Sequence, residues 1–197
     1  MPPVNHSAEA SPPQNVDSWE SRSHEELVFR IQEGDTRALT WVFNTYRPSL
    51  LRYARQILGF VAEPEDIVQE AFARFWARRA ELRPDGSIRA LLFISVRTIA
   101  RDEYRAWGSR VVLRPELQHC RARGGEPLEE VMENELRRSF KDAFSDLSPR
   151  RKQVFRLVRD QGLSHAETAN VLGITTRTVK NTMSSALSEL RDRLEVA

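Results

Sequence analysis

The chain predicts an all-α fold: two small helical domains joined by a flexible linker, the C-terminal one a helix-turn-helix domain. Three observations carry this. Apolar residues recur at helical spacing from about Ser23 onward. A stretch rich in Pro, Gly and Arg, Ser109 to about Pro127, interrupts the pattern. The segment Leu163 to Leu194, LSHAETANVLGITTRTVKNTMSSALSELRDRL, reads as two helices joined by a tight turn. The predicted boundaries are a tail over 1–22, a first domain over 23–107, a linker over 108–127 and a second domain over 128–197.

The tail is rich in Pro, Ser, Ala and Asn, holds Pro2–Pro3 and Pro12–Pro13, and has no apolar period; disorder is expected. Trp19 is its one residue suited to docking. Ser23 can cap a short helix through Gln32, with Leu27, Val28 and Ile31 inward and Gly34 at its end. Asp35 can cap a long helix in which Leu39, Val42, Phe43, Tyr46, Leu50, Ala54, Ile57 and Leu58 keep the period. Pro48 should kink or locally break it. Glu63-Pro64 starts the next helix, since proline suits a first turn. Its stripe is Ile67, Val68, Ala71, Phe72, Phe75 and Trp76. Asp66, Gln69 and Glu70 lie beside that stripe, so the helix reads either as scaffold or as a polar rim for a protein partner.

Ile88 to Ala106 reads as a third long helix with Leu91, Leu92, Ile94, Ser95 and Ile99 on its buried side and Trp107 as a further candidate for it. Arg97, Arg101 and Arg105 form a positive edge, with Tyr104 and Trp107 among them. Basic residues interleaved with aromatics can hold a single DNA strand, arginines on phosphates and rings on bases. A solvated arginine face over core aromatics fits the pattern equally well. The linker adds Arg110, Arg114, Arg121 and Arg123, a possible salt-sensitive tether. Beyond it, a helix over Glu129 to Phe144 carries Val131, Met132, Leu136, Phe140 and Phe144, and Ser148-Pro149 opens another to about Asp160.

In the terminal segment Ser164 and Glu167 have capping-box spacing, and Ala166, Ala169, Val171 and Leu172 supply a short apolar side. Gly173 breaks the run, Ile174 enters the core, and Thr175 or Thr176 caps the second helix. Val179, Met183, Ala186, Leu187, Leu190 and Leu194 point inward. Arg177 and Lys180 lie three apart, Asn181 one turn beyond Arg177 and Ser184 one turn beyond Lys180. The exposed stripe is therefore Thr176, Arg177, Lys180, Asn181 and Ser184, residues able to meet base edges and phosphates. A second helix of this kind enters a DNA major groove.

The whole chain bounds the rest. Its 197 residues suit one domain or two small ones, and 40% hydrophobic with 29% charged residues suits a soluble protein. A net charge of +2 is compatible with nucleic acid without demanding it. The single cysteine, Cys120, excludes an internal disulfide, and His119–Cys120 lacks zinc spacing. No apolar run is long enough for a membrane span and no secretion signal is recognisable, so the cytoplasm is expected. No nucleophile triad, paired carboxylates or metal cluster points to an enzyme, and no cofactor is expected.

The residues resemble those of the extracytoplasmic-function sigma factors, small two-domain specificity subunits of bacterial RNA polymerase. Glu65-Asp66-Ile67-Val68-Gln69-Glu70-Ala71-Phe72, then Phe75-Trp76, is similar to the family's polymerase-binding helix. Leu147-Ser148-Pro149-Arg150, the turn before Leu163-Ser164, Leu172-Gly173-Ile174 and Thr178-Val179-Lys180 resemble its region 4. The resemblance spans roughly 24–194 and departs at particular places. Thr98 stands where the promoter-melting helix usually has Asn, Thr168 where Ile is usual and His165 where Tyr is usual. The recognition helix continues Asn181-Thr182-Met183-Ser184-Ser185-Ala186, where many members have arginines. From Leu163 to Ala197 four basic residues face four acidic ones, so the isolated domain should bind DNA weakly.

The resemblance implies a sigma factor that binds core RNA polymerase through Asp66, Gln69, Glu70, Phe72 and Trp76. It implies that Arg97, Arg101, Tyr104, Arg105 and Trp107 contact the non-template strand of the downstream promoter element, while the second domain reads the upstream one. An anti-sigma factor is a further partner it leaves open. The rival is a stand-alone helix-turn-helix regulator that binds a palindrome as a dimer without polymerase.

Overall fold

The computed structural model describes residues 23–58, 62–113 and 134–195, with backbone alone for 108–113 and 134–137. Every regular element among them is helical. Helix α1 (His24–Gln32) starts at Ser23, whose hydroxyl accepts the Glu26 N–H at 3.2 Å, and buries Leu27, Val28 and Ile31. Gly34, at φ 86°, turns the chain in a conformation that favours glycine. The Asp35 carboxylate then accepts the Arg37 N–H at 2.8 Å and opens α2 (Thr36–Leu58). Of the two outcomes expected at Pro48, a kink or a local break, the break does not occur: α2 runs uninterrupted for 23 residues. The missing proline N–H would have met the carbonyl of Asn44, an exposed position where water can take the acceptor. The following residues Ser49, Leu50 and Leu51 are buried and anchor the helix just beyond the proline.

Helix α3 (Pro64–Ala77) begins with Pro64 in its first turn and buries Ile67, Val68, Ala71, Phe72 and Phe75. A 3-10 turn, Arg79–Glu81, follows. Helix α4 (Ile88–Leu113) is capped by Ser87, whose hydroxyl accepts the Ala90 N–H at 3.0 Å. It continues past Gly108, so the backbone at the start of the expected linker is helical. The rest of that linker, the N-terminal tail with Trp19, and the start of the following helix lie outside the described residues.

The second unit contains α5 (Asn134–Asp146), α6 (Pro149–Phe155), α7 (His165–Leu172) and α8 (Thr176–Glu195). The Ser148 hydroxyl caps α6 at the Arg151 N–H, and Pro149 occupies its first turn. A π-helical turn, Arg156–Asp160, extends α6 where a plain α-helix was expected. Gly162, at φ 65°, redirects the chain into α7.

Two inward faces differ from the periodicity. On α4 the buried side is Ile88, Leu92, Phe93, Val96, Ile99 and Ala100, while Leu91 is 40% exposed. The Phe93 ring lies 5.1 Å from that of Tyr53 of α2, tilted by 44°, a contact that needs it inward. On α7 Ala166 is exposed and Thr168 is fully buried. The two units also meet. One continuous buried cluster runs from Leu27 through Ala100 of the first unit to Val154, Leu157, Leu163, Val171 and Leu172 of the second. Helix α7 packs against α4. A smaller cluster, Ala143, Leu147, Ala186 and Leu190, ties α5 to α8.

Candidate nucleic-acid interface

The helix-turn-helix is built by local bonds. Ser164 and Glu167 form a reciprocal capping box, at 3.2 Å from the Glu167 N–H to the Ser164 hydroxyl and 2.8 Å from the Ser164 N–H to the Glu167 carboxylate. Gly173 ends α7 in the left-handed region, at φ 66° and ψ 43°. A Cβ there would meet nothing within 4 Å, so backbone conformation alone asks for glycine. The Ile174 N–H returns to the Ala169 carbonyl at 3.0 Å. Thr175 is the cap of α8: its hydroxyl accepts the Thr178 N–H at 3.1 Å and pairs with the Thr178 hydroxyl at 2.8 Å.

Helix α8 buries Val179, Met183, Ala186 and Leu190. Thr176, Arg177, Lys180, Asn181 and Ser184 are all exposed, so the structure brings the five expected residues together on one solvent face. Beside them lies a shallow groove of about 410 Å³ lined by Ser148, Arg150, Arg151, Asn181, Thr182 and Ser185. Arg150 and Arg151 were not expected at the recognition helix. Arg151 is paired with Glu189, so Arg150 is the cation left to serve the groove. In the sequence both stand simply at the start of another helix, after Ser148-Pro149.

The α4 set is arranged differently. Arg101, Tyr104 and Arg105 are exposed and Trp107 is half-buried. Tyr104 donates its hydroxyl to the Leu58 carbonyl at 3.0 Å, which fixes the ring against α2 while leaving it 42% exposed. Arg105 lies 3.6 Å from Asp102 across one turn. Arg97 is turned away from this group and donates to the Val171 carbonyl at 2.8 Å, at the end of α7.

On α3, Asp66, Gln69 and Glu70 are exposed, and Glu70 pairs with Arg74 at 2.7 Å. Phe72 is 6% exposed and lies 4.8 Å from the Phe43 ring, so it belongs to the core and can support the rim only from beneath. Trp76 is half-buried under the Arg79 guanidinium at 4.7 Å. Glu65, in the same turn as Asp66, has its carboxyl held below the usual range by a backbone hydrogen bond and by Arg55.

Residues joining the two units were also missed. Ser87 donates to the Glu167 carboxylate at 2.7 Å. Arg89 donates to the Gly162 carbonyl at 3.0 Å and to the Gln161 carbonyl. Arg89 did leave a signal: a cation in the first turn of a helix opposes the helix dipole, which hints at acceptors elsewhere. Burial alone would raise the Glu167 carboxyl, but hydrogen bonds from Ser164 and Ser87 and the charge of Arg89 hold it below its usual value. Among the described residues no group of three or more His, Cys, Asp or Glu is placed to hold a metal, and no helix is long and apolar enough to cross a membrane.

The fold and the exposed face of α8 define a helix-turn-helix protein of two helical units. The family described as Sigma-70 region 2 matches residues 42–110, and that described as Sigma-70, region 4 matches 137–190. The ECF RNA polymerase sigma factor SigL of Mycobacterium tuberculosis is 31% identical over 156 residues, covering 78% of this chain and 87% of SigL. The ECF RNA polymerase sigma factor BldN of Streptomyces coelicolor is 28% identical over 167 residues, 84% of this chain but only 63% of BldN's own length. The solved structure of the sigma factor RpoE from Bartonella quintana, in complex with the anti-sigma factor NepR, shares the fold at a TM-score of 0.62 and 22% identity, over 80% of this chain and 96% of that one. The chain belongs to the extracytoplasmic-function sigma factors of the sigma-70 family.

Proposed function

We infer that this chain directs core RNA polymerase to particular promoters and assists strand opening, with no chemistry of its own. The observation that carries this is the exposed Thr176–Ser184 stripe on a capped, glycine-terminated helix-turn-helix, in a chain of the sigma family. Helix α8 reads the upstream element, its N-terminus favouring a phosphate. The rim Asp66, Gln69 and Glu70 docks on polymerase, with Phe72 and Trp76 holding α3 in shape. Arg101, Tyr104, Arg105 and Trp107, joined by Arg97, meet the non-template strand of the downstream element. The working compartment is the cytoplasm, and an anti-sigma factor is a further partner, as NepR is for RpoE.

The test is co-purification with core polymerase followed by transcription from a candidate promoter. Binding of a palindrome as a dimer without polymerase favours the stand-alone regulator instead. Within the complex, a Tyr104→Ala, Arg101→Ala double variant is expected to lose permanganate reactivity in the downstream element. An unaltered open complex at saturating protein removes α4 from strand opening.

A further inference from the structure

A groove of about 390 Å³ runs between α3 and α4. Its floor is apolar, from Phe75, Leu82, Leu91 and Ile94, and its rim carries Arg74, Arg78 and Thr98. Leu91 is 40% exposed there, so the floor presents apolar surface to water in a concave setting that suits a large side chain. The rim arginines pair with Glu70 at 2.7 Å and with Glu81 at 2.6 Å, each across one turn. Both pairs are solvent-exposed, and exposed pairs of this kind are weak, so either guanidinium can turn to another carboxylate.

Helix α1 begins beside this groove. His24, its first residue, donates to the Gly86 carbonyl at 2.6 Å, and Gln32 donates to the Leu82 carbonyl at 2.8 Å. Both carbonyls belong to the turn that gives Leu82 to the groove floor and leads into α4. The segment before Ser23 therefore leaves from the edge of the groove. Trp19 stands five residues ahead of His24, and five residues reach at most about 17 Å. Asp17 and Glu20 flank Trp19. An aromatic between two carboxylates matches an apolar floor between two arginines. So short a tether gives this segment an effective concentration in the millimolar range, which sets it ahead of a free partner of equal affinity. Leu91, Ile94, Thr98, Arg101 and Arg105 follow one another along α4 at three- and four-residue spacing, so the groove and two of the arginines expected on DNA share one face.

We propose that the N-terminal tail folds back with Trp19 seated in the α3–α4 groove and Asp17 and Glu20 on Arg74 and Arg78, and that it thereby competes with a single DNA strand for this face of α4. The competition rests on the strand reading of α4 above; the docking does not. The apparent affinity for a strand is then the intrinsic affinity reduced by the undocked fraction.

The experiment uses the full chain with 5-fluorotryptophan at its four tryptophans and reads the fluorine resonance of Trp19, identified by its loss in Trp19→Phe. That resonance should lie away from its position in a synthetic peptide of residues 10–22 and be shielded from a soluble paramagnetic agent. Leu91→Glu puts a carboxylate into the apolar floor and should return Trp19 to the peptide position. An Arg74→Ala, Arg78→Ala double variant should release it in part. Circular dichroism melting checks that each variant folds. Competition is read with a fluorescein-labelled oligothymidylate of roughly 20 nucleotides. Trp19→Ala should tighten its binding by roughly three- to ten-fold, the gain that follows when about 70–90% of chains are docked. If Trp19 sits at the peptide position in the parent chain, or stays shielded in both groove variants, docking in this groove is overturned. A shift that grows with protein concentration gives the groove to a second copy and overturns the fold-back. If Trp19 responds as expected while the oligothymidylate binds every form alike, the competition is overturned. If it binds no form, the docking stands and the strand reading of α4 in the free chain falls.

Discussion

Helices α8 and α4 carry the two sets of residues expected to meet DNA, and the structure treats them differently. On α8 all five expected residues share one exposed face, because burial of Val179, Met183, Ala186 and Leu190 within the same unit settles the helix rotation. On α4 Arg101, Tyr104 and Arg105 remain exposed, but Arg97 is drawn into the other unit, and Trp107 is half-buried. The difference teaches that periodicity reports which residues a unit buries for itself. It cannot report which exposed residues a second unit then consumes. Helix α3 lies between these cases, with an exposed acidic rim over aromatics that serve the core.

The largest expected effect separates rim from core on α3. Phe72→Ala should cost about 3–5 kcal/mol of stability, as the loss of a buried aromatic does, read as a fall in the denaturant midpoint. Gln69→Ala should leave that midpoint unchanged and weaken core binding alone. Unchanged affinity across Asp66→Ala, Gln69→Ala and Glu70→Ala would take docking off this helix.

The second probes the packing under α4. Burial pushes the Tyr53 hydroxyl up to about 12, against a smaller opposing pull from Arg97. The folded chain therefore holds this proton more tightly than the unfolded chain, whose tyrosine titrates near 10. Stability should be intact below pH 10, fall as pH rises, and level off above about 12, a loss of about 2–3 kcal/mol from this group. The hydroxyl has no hydrogen-bond partner, so Tyr53→Phe should be near neutral at pH 7 and lose this alkaline component. An alkaline melting curve that is the same for both chains would contradict this.

The third sharpens the α8 side. In the polymerase complex Arg177→Ala should cost about 1–3 kcal/mol on the preferred promoter and relax choice at one base pair. Lys180→Ala should weaken all promoters alike and reduce the salt slope by about one. If neither changes upstream-element binding or its salt dependence, α8 is not the reader.

The smallest concerns the turn that aims α8. Gly173→Ala should cost about 1 kcal/mol from backbone strain alone, since the added Cβ meets nothing, and Gly173→Asn should cost less. Equal losses for both, measured by thermal melting, would point to contacts rather than backbone.

Sequence by itself determined the helices, their starts at Ser23, Ser148 and Ser164, and the exposed polar face of α8. Caps, turn glycines and apolar periods act within a few residues of one another, so a short segment contains both the cause and the effect. Tertiary structure alone decided the rest. The inward turn of Phe93 onto Tyr53, the outward turn of Leu91 and the burial of Thr168 depend on neighbours from other helices. The π-helical turn after α6 has no pattern in the residues that marks it. The docking of α7 on α4 pairs Ser87 with Glu167 and Arg97 with Val171 across separations of 80 and 74 residues. Side chains that far apart in the chain leave no shared period, and only the path of the backbone in space makes them partners.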